Sequence, residues 1–111
     1  MPSRTRTYSR LNRDAVRLLG QQIKLGRKSR RMTEKELAAR AGIARSTIQR
    51  IEGGDPLVEV GLVFEAAILA GVTLFDPGAT TLAPQLERIH DKLMLLPKAV
   101  RRRQQSFDDD F

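Results

Sequence analysis

"MTEKELAARAGIARSTIQRIEGGDP", residues 32–56, decides the fold. Thr33 followed three residues later by Glu36 is a capping box, in which two orphan backbone N–H groups at a helix start are satisfied reciprocally. Leu37, Ala38 and Ala41 make the inner face of the helix it begins. Gly42 suits the left-handed position that ends such a helix. A further helix runs from about Ala44 to Glu52, and "GGDP" stops it. Ile48 and Ile51, with Ile43 just ahead, are its apolar anchors.

Two short helices joined by a tight glycine turn form a helix-turn-helix, with the second helix crossing the first steeply. Arg45, Ser46, Gln49 and Arg50 are one, four and five positions apart and share the face opposite the isoleucines. Arginine reads guanine with two parallel hydrogen bonds, glutamine reads adenine, and serine adapts to either. The major groove admits one α-helix, so this polar face suits base edges.

Working outward, Asn12 or Asp14 is expected to cap a first helix that reaches about Arg30. Val16, Leu19, Ile23 and Arg27 fall on one face of it, three apolar residues and an arginine. A fourth helix is expected over Val60 to Ala70, with Val60, Val63, Phe64, Ala67 and Ile68 at the helical period and Gly71 closing it. "VTLFDPGATT" reads as a connector. Pro84 fits the first turn of a fifth helix ending near Leu95, before Pro97. No stretch alternates as a strand would. The fold class is therefore all-α with five helices. Its divisions are a basic arm at 1–11, a DNA-binding domain at 12–75, a C-terminal helix at 82–96 and a tail at 97–111.

The chain has 111 residues, enough for one modest core. Its 20 Lys and Arg against 13 acids give a net charge of +7, which favours a polyanionic partner. Lys24, Lys28, Arg30, Arg31 and Lys35 flank the two short helices and, with Thr33 and Thr47, are the candidate phosphate contacts. Arg4, Arg6 and Arg10 lie in the arm, which either tracks the DNA backbone or is a flexible leader. There is no cysteine, which removes disulfides and thiolate chemistry. With one histidine, no phosphate-cradling glycine loop and no paired carboxylates placed for acid–base work, no enzyme, metal or cofactor is expected. No apolar run approaches a membrane span and no secretory signal is visible. A soluble cytoplasmic protein acting at the nucleoid, with no membrane partner, is the expectation.

Residues 32–56 resemble the phage-repressor-type helix-turn-helix family, also called the xenobiotic-response-element family, and the similarity extends from about Leu18 to Gly71. The resemblance implies a lambda-repressor-like five-helix domain, dimeric on double-stranded operator DNA. By motif position it assigns base reading to Arg45, Ser46 and Arg50, with Gln49 beside them. It also implies a structural salt bridge between Arg27 and Glu52. Two departures stand out. Glu34 replaces a glutamine that touches phosphate in many members, so that contact is expected to be lost to repulsion. Ala44 replaces the serine that caps the second helix of the motif, a change that typically costs about 1 kcal/mol.

Leu82, Leu86, Ile89, Leu93 and Leu96 are spaced four, three, four and three, the narrow seam of a helix pair. They either pack on the domain's own core or join a second copy, and a dimer suits palindromic half-sites. His90, alone beside this seam, reads as structural. In the tail, Arg101, Arg102 and Arg103 precede Phe107, Asp108, Asp109, Asp110 and Phe111. That acidic, aromatic-ended peptide either docks on another protein or is a solubilising end. "RIEGGDPLVEVGLVFEAAILAGVTLFD" (50–76) with "LPKAVRRRQQSFDDDF" (96–111) resembles HipB-like antitoxins. That resemblance implies a partner, a HipA-like serine/threonine kinase toxin neutralised by complex formation. The expected function is a sequence-specific transcriptional repressor and antitoxin. A stand-alone regulator and a basic RNA-binding or coactivator protein are the alternatives.

Overall fold

The computed structural model describes residues 6–75, 78 and 80–102. Its helices are α1 (Arg10–Ser29), α2 (Glu34–Ala41), α3 (Arg45–Glu52), α4 (Val60–Leu69) and α5 (Ala83–Met94). No strand occurs among the described residues, and no helix there is long and apolar enough to cross a membrane. The chain divides into two units, Met1–Gly78 and Ala79–Phe111.

Helix α1 starts earlier than the sequence suggests. Ser9, not Asn12 or Asp14, is its N-cap, and the Ser9 hydroxyl accepts from the Asn12 N–H at 3.2 Å. Residues 10 and 11, read as arm, are therefore helical. A serine hydroxyl caps a helix about as well as an asparagine or aspartate side chain does, so residue type alone does not choose among the three. At its other end, Arg31 adopts a left-handed φ of 56°, and the Met32 N–H donates to the Arg27 carbonyl at 3.0 Å. This is a Schellman-type ending built on an arginine rather than a glycine.

Helix α2 carries the capping box in full. Thr33 N–H donates to Glu36 Oε1 at 2.8 Å, and Glu36 N–H donates to Thr33 Oγ1 at 3.0 Å. Gly42 ends the helix at a φ of 72°. Helix α3 starts at Ala44 with no side-chain cap.

The core of the first unit consists of Ile23, Met32, Leu37, Ala38, Ile48, Ile51, Ala66, Ala67 and Ala70. Leu19, Ile43, Val58, Val63, Leu69, Val72 and Leu74 pack around it. Helix α4 differs from its sequence reading. Val60 and Ile68 are exposed, Val63 and Phe64 half-buried, and the buried face is Ala66 and Ala67, continued by Ala70. With Glu65 as its one charged residue, the helix has little polar side to mark the direction of the core, so periodicity is a poor guide to its face. Packing chooses the alanines because they allow close approach.

Two glycines inside α1 act in the same way. A Cβ on Gly20 would meet the Ile51 carbonyl and, at 2.9 Å, the Glu52 carbonyl. A Cβ on Gly26 would meet the Ala70 carbonyl. Backbone therefore lies against backbone where α1 crosses α3 and the end of α4.

In the second unit, Pro84 lies in the first turn of α5. No α5 residue is buried, and Leu86, Ile89, Leu93 and Leu96 are between 55% and 69% exposed. Leu82, just before the helix, is half-buried.

Candidate nucleic-acid interface

The isoleucines of α3 position its polar face. Ile48 and Ile51 are buried, which turns Arg45, Ser46, Gln49 and Arg50 outward, all four exposed. Thr47 is half-buried. Among the described residues of the unit none buries these four side chains, and α3 is held from behind by its isoleucines.

Carboxylates hold three of the four side chains. Glu34, the first residue of α2, accepts from Arg45 Nε at 3.1 Å and from Gln49 Nε2 at 3.0 Å through the same oxygen, Oε1. Its Oε2 lies 4.0 Å from Arg27 Nη2. The bonds from Gln49 and then Arg45 hold the Glu34 carboxyl below its ordinary pKa. Asp55 accepts from Arg50 Nε at 2.7 Å and from the Leu57 N–H at 2.8 Å. The Leu57 bond, then the Arg50 bond, hold the Asp55 carboxyl below its ordinary range as well.

Sequence reasoning missed both carboxylates. From sequence, Glu34 is only a repelled phosphate neighbour, and Asp55 only part of a stop signal. Glu34 and Arg45 are eleven residues apart, so no helical period connects them. The crossing of α2 and α3 brings them together.

Behind the face lies the ion pair of α1 and α3. Arg27 Nε donates to Glu52 Oε2 at 2.7 Å, Nη2 donates to Oε1 at 3.0 Å, and Nη1 donates to the Met32 carbonyl at 2.9 Å. Arg27 and Glu52 are 6% and 5% exposed. The bond to Glu52 raises the Arg27 pKa above its ordinary value, against the opposing effect of burial. The pair fixes the angle of α3 from the inside.

The flanking basic residues are not equivalent. Lys24, Lys28, Arg31 and Lys35 are exposed. Arg30 is exposed too, but its guanidinium lies against Gly71 and donates to the Leu69 carbonyl at 3.4 Å, at the C-terminus of α4. Cations favour that end of a helix, so Arg30 has a structural use that its place in a basic run concealed. The acceptor capacity of the Thr33 hydroxyl is engaged in the capping box, while its O–H remains able to donate. Arg27, Thr33, Glu34, Lys35 and Arg45 line an open depression between the starts of α2 and α3. Arg6 sits 5.6 Å from the centre of the Tyr8 ring. Arg4, Arg103, Phe107, Asp108, Asp109, Asp110 and Phe111 lie outside the described residues.

Residues 23–75 match the family model described as Helix-turn-helix, a span just under half of the chain. No curated protein matches the chain. The matched segment contains all of α2, α3 and α4 and the last third of α1, from Ile23. The segment is similar to helix-turn-helix domains, and the match supports a DNA-binding transcriptional regulator.

Proposed function

We propose, from the premise of a DNA-binding helix-turn-helix domain, that this protein is a sequence-specific repressor that inserts α3 into the major groove. The observation that carries the reading is the outward presentation of Arg45, Ser46, Gln49 and Arg50 on a rod whose other side is buried. Those four side chains read base edges. Lys24, Lys28, Arg31 and Lys35, with the hydroxyls of Thr33 and Thr47 and with Arg30 to a smaller extent, meet phosphates and set the register. Affinity comes mainly from the phosphates and specificity from α3.

The protein works as a homodimer. The exposed seam of Leu86, Ile89 and Leu93 on α5, with Leu96 just past its end, supports this, since four large apolar side chains in a row gain from pairing with a second copy. A two-fold reader then matches half-sites about one helical turn, roughly 34 Å, apart.

The resemblance of residues 50–76 and 96–111 to HipB-like antitoxins extends the reading to a second partner, a HipA-like serine/threonine kinase toxin. The acidic, aromatic-ended tail supplies a peptide for such a contact. The protein then acts at the nucleoid in the cytoplasm, repressing its own operon and holding the kinase inactive.

Selection of bound fragments from a random duplex pool tests the central reading. Enrichment of a two-fold symmetric sequence is the expected result. Recovery of unrelated fragments in proportion to length would refute it and favour a general basic binder. Co-purification from native extract, with and without residues 103–111, tests the kinase partner separately.

A further inference from the structure

Gln49 has an ambiguity common to every glutamine that reads DNA. Its amide presents either its oxygen or its nitrogen to the groove, and the two faces choose different bases. In this protein a carboxylate removes the choice. Glu34 is acceptor-only when ionised, as a solvent-accessible carboxylate is at neutral pH, so the group facing it is the amide nitrogen. Gln49 Nε2 donates one hydrogen to Glu34 Oε1 at 3.0 Å. The amide oxygen and the second N–H are left for a ligand. That is the donor–acceptor pair complementary to adenine N7 and N6.

The same oxygen orients Arg45. The guanidinium gives its Nε, the donor nearest its own backbone, to Glu34 at 3.1 Å. No hydrogen bond occupies the terminal Nη pair of Arg45 among the described residues. That pair is the fork that fits guanine O6 and N7. Glu34 itself sits at the start of α2 beside the depression where a phosphate would approach, and like charge keeps it out of direct contact.

We propose that Glu34 is a specificity-determining positioning residue, which locks the Gln49 amide oxygen outward and the Arg45 fork outward. The domain thereby prefers adenine under Gln49 and guanine under Arg45. The inference rests on the DNA-reading role of α3 and goes beyond it, because it names the bases and the residue that chooses them. Glu34→Gln is the informative variant. It keeps size and hydrogen-bonding capacity but offers a nitrogen as well as an oxygen, so Gln49 regains both orientations.

The experiment is base-preference profiling by selection from a random duplex pool, with wild type, Glu34→Gln, Glu34→Ala and Gln49→Ala. Circular dichroism melting checks that each is folded. Wild type is expected to enrich an adenine and a guanine, with the adenine lost in Gln49→Ala. In Glu34→Gln the adenine preference is expected to drop roughly tenfold and to spread toward guanine and thymine, the discrimination of one bidentate contact. Glu34→Ala is expected to lose preference at both positions while binding random duplex at least as well. A profile that stays within about twofold of wild type in both Glu34 variants would overturn the proposal. So would a uniform tightening with unchanged preference, because that is what mere removal of a repelling charge produces. A wild-type protein with no preference for any duplex would instead sink the DNA-reading role beneath it.

Discussion

Arg27 and Glu52 form a two-bond fork, at 2.7 and 3.0 Å, that joins the last turn of α1 to the last residue of α3. Both are nearly inaccessible to solvent. Removing one partner leaves a buried charge with no counter-ion. Arg27→Ala is therefore expected to destabilise the domain by about 3–5 kcal/mol. Replacing both residues together, as Arg27→Met with Glu52→Leu, is expected to cost less than the single change, because no charge is then left buried. Urea denaturation of the two variants beside the parent checks this. A single mutant with the parental midpoint would refute it.

Gly20 and Gly26 look like faults in a long helix, since glycine costs about 1 kcal/mol relative to alanine in a helix interior. Their contacts reverse the sign. Each would set a methyl against a backbone carbonyl that has no rotamer to move. Gly20→Ala and Gly26→Ala are each expected to lower stability by about 1–3 kcal/mol, the cost of overpacking. Thermal melting decides, and a stabilised Gly26→Ala would show that α1 and the end of α4 are free to separate.

Two positions are open to improvement. Arg31 holds a left-handed φ of 56° that disfavours a residue with a Cβ. Arg31→Gly is expected to stabilise the fold by about 0.5–1 kcal/mol, after allowing for the extra freedom of glycine in the unfolded chain. Ala44→Ser supplies the missing cap of α3 and is expected to add about 1 kcal/mol. Arg31→Gly also removes a candidate phosphate contact, so it should weaken duplex binding as it raises the melting temperature. Ala44→Ser should raise the melting temperature alone.

On DNA, replacements divide by what they touch. Arg45→Ala or Arg50→Ala is expected to cost about 1–3 kcal/mol on the selected operator and to relax base choice at one position. Lys28→Ala is expected to weaken all duplexes alike and to lower the salt slope by about one unit. Fluorescence anisotropy across a salt series separates the two classes. If Arg45→Ala and Arg50→Ala both retain full preference for the operator, the contact face has been misplaced.

Acid should act on the same network. Glu34, Glu36 and Asp55 all have folded-state pKa values below their ordinary ones, through bonds from Gln49 and Arg45, chiefly from the Thr33 N–H, and from the Leu57 N–H and Arg50 respectively. A lowered carboxylate pKa contributes stability that is fully present above the unfolded value and is lost as pH falls through the folded one. The melting temperature is expected to be level from neutrality to about pH 5 and to fall below about pH 4. Carbon-detected carboxyl titration should place these three below the ordinary range. Midpoints for Glu34 and Asp55 within or above that range would dissolve the bracing of α3.

The motif itself was legible because its signals are local. The capping box at Thr33 and Glu36, the left-handed Gly42 and the isoleucines at 43, 48 and 51 each act within one or two turns. Three or four residues therefore suffice to recognise each. The outward face of Arg45, Ser46, Gln49 and Arg50 follows by complement. The resemblance to a known family added the Arg27–Glu52 pairing, which spacing alone does not imply. Contacts between elements distant in the chain stayed hidden. Glu34 reaches Arg45 and Gln49 only because α2 and α3 cross, Arg30 finds the end of α4 across 39 residues, and Gly20 and Gly26 are informative only once α3 and α4 lie against them. The apolar pattern of α4 could not name its buried side, because hydrophobicity with so little polar face carries little direction. Local backbone chemistry thus determined where the helices begin, end and turn their isoleucines. Close packing of backbone on backbone, together with charges that meet only in the folded chain, decided how α3 is held and which atoms it leaves free.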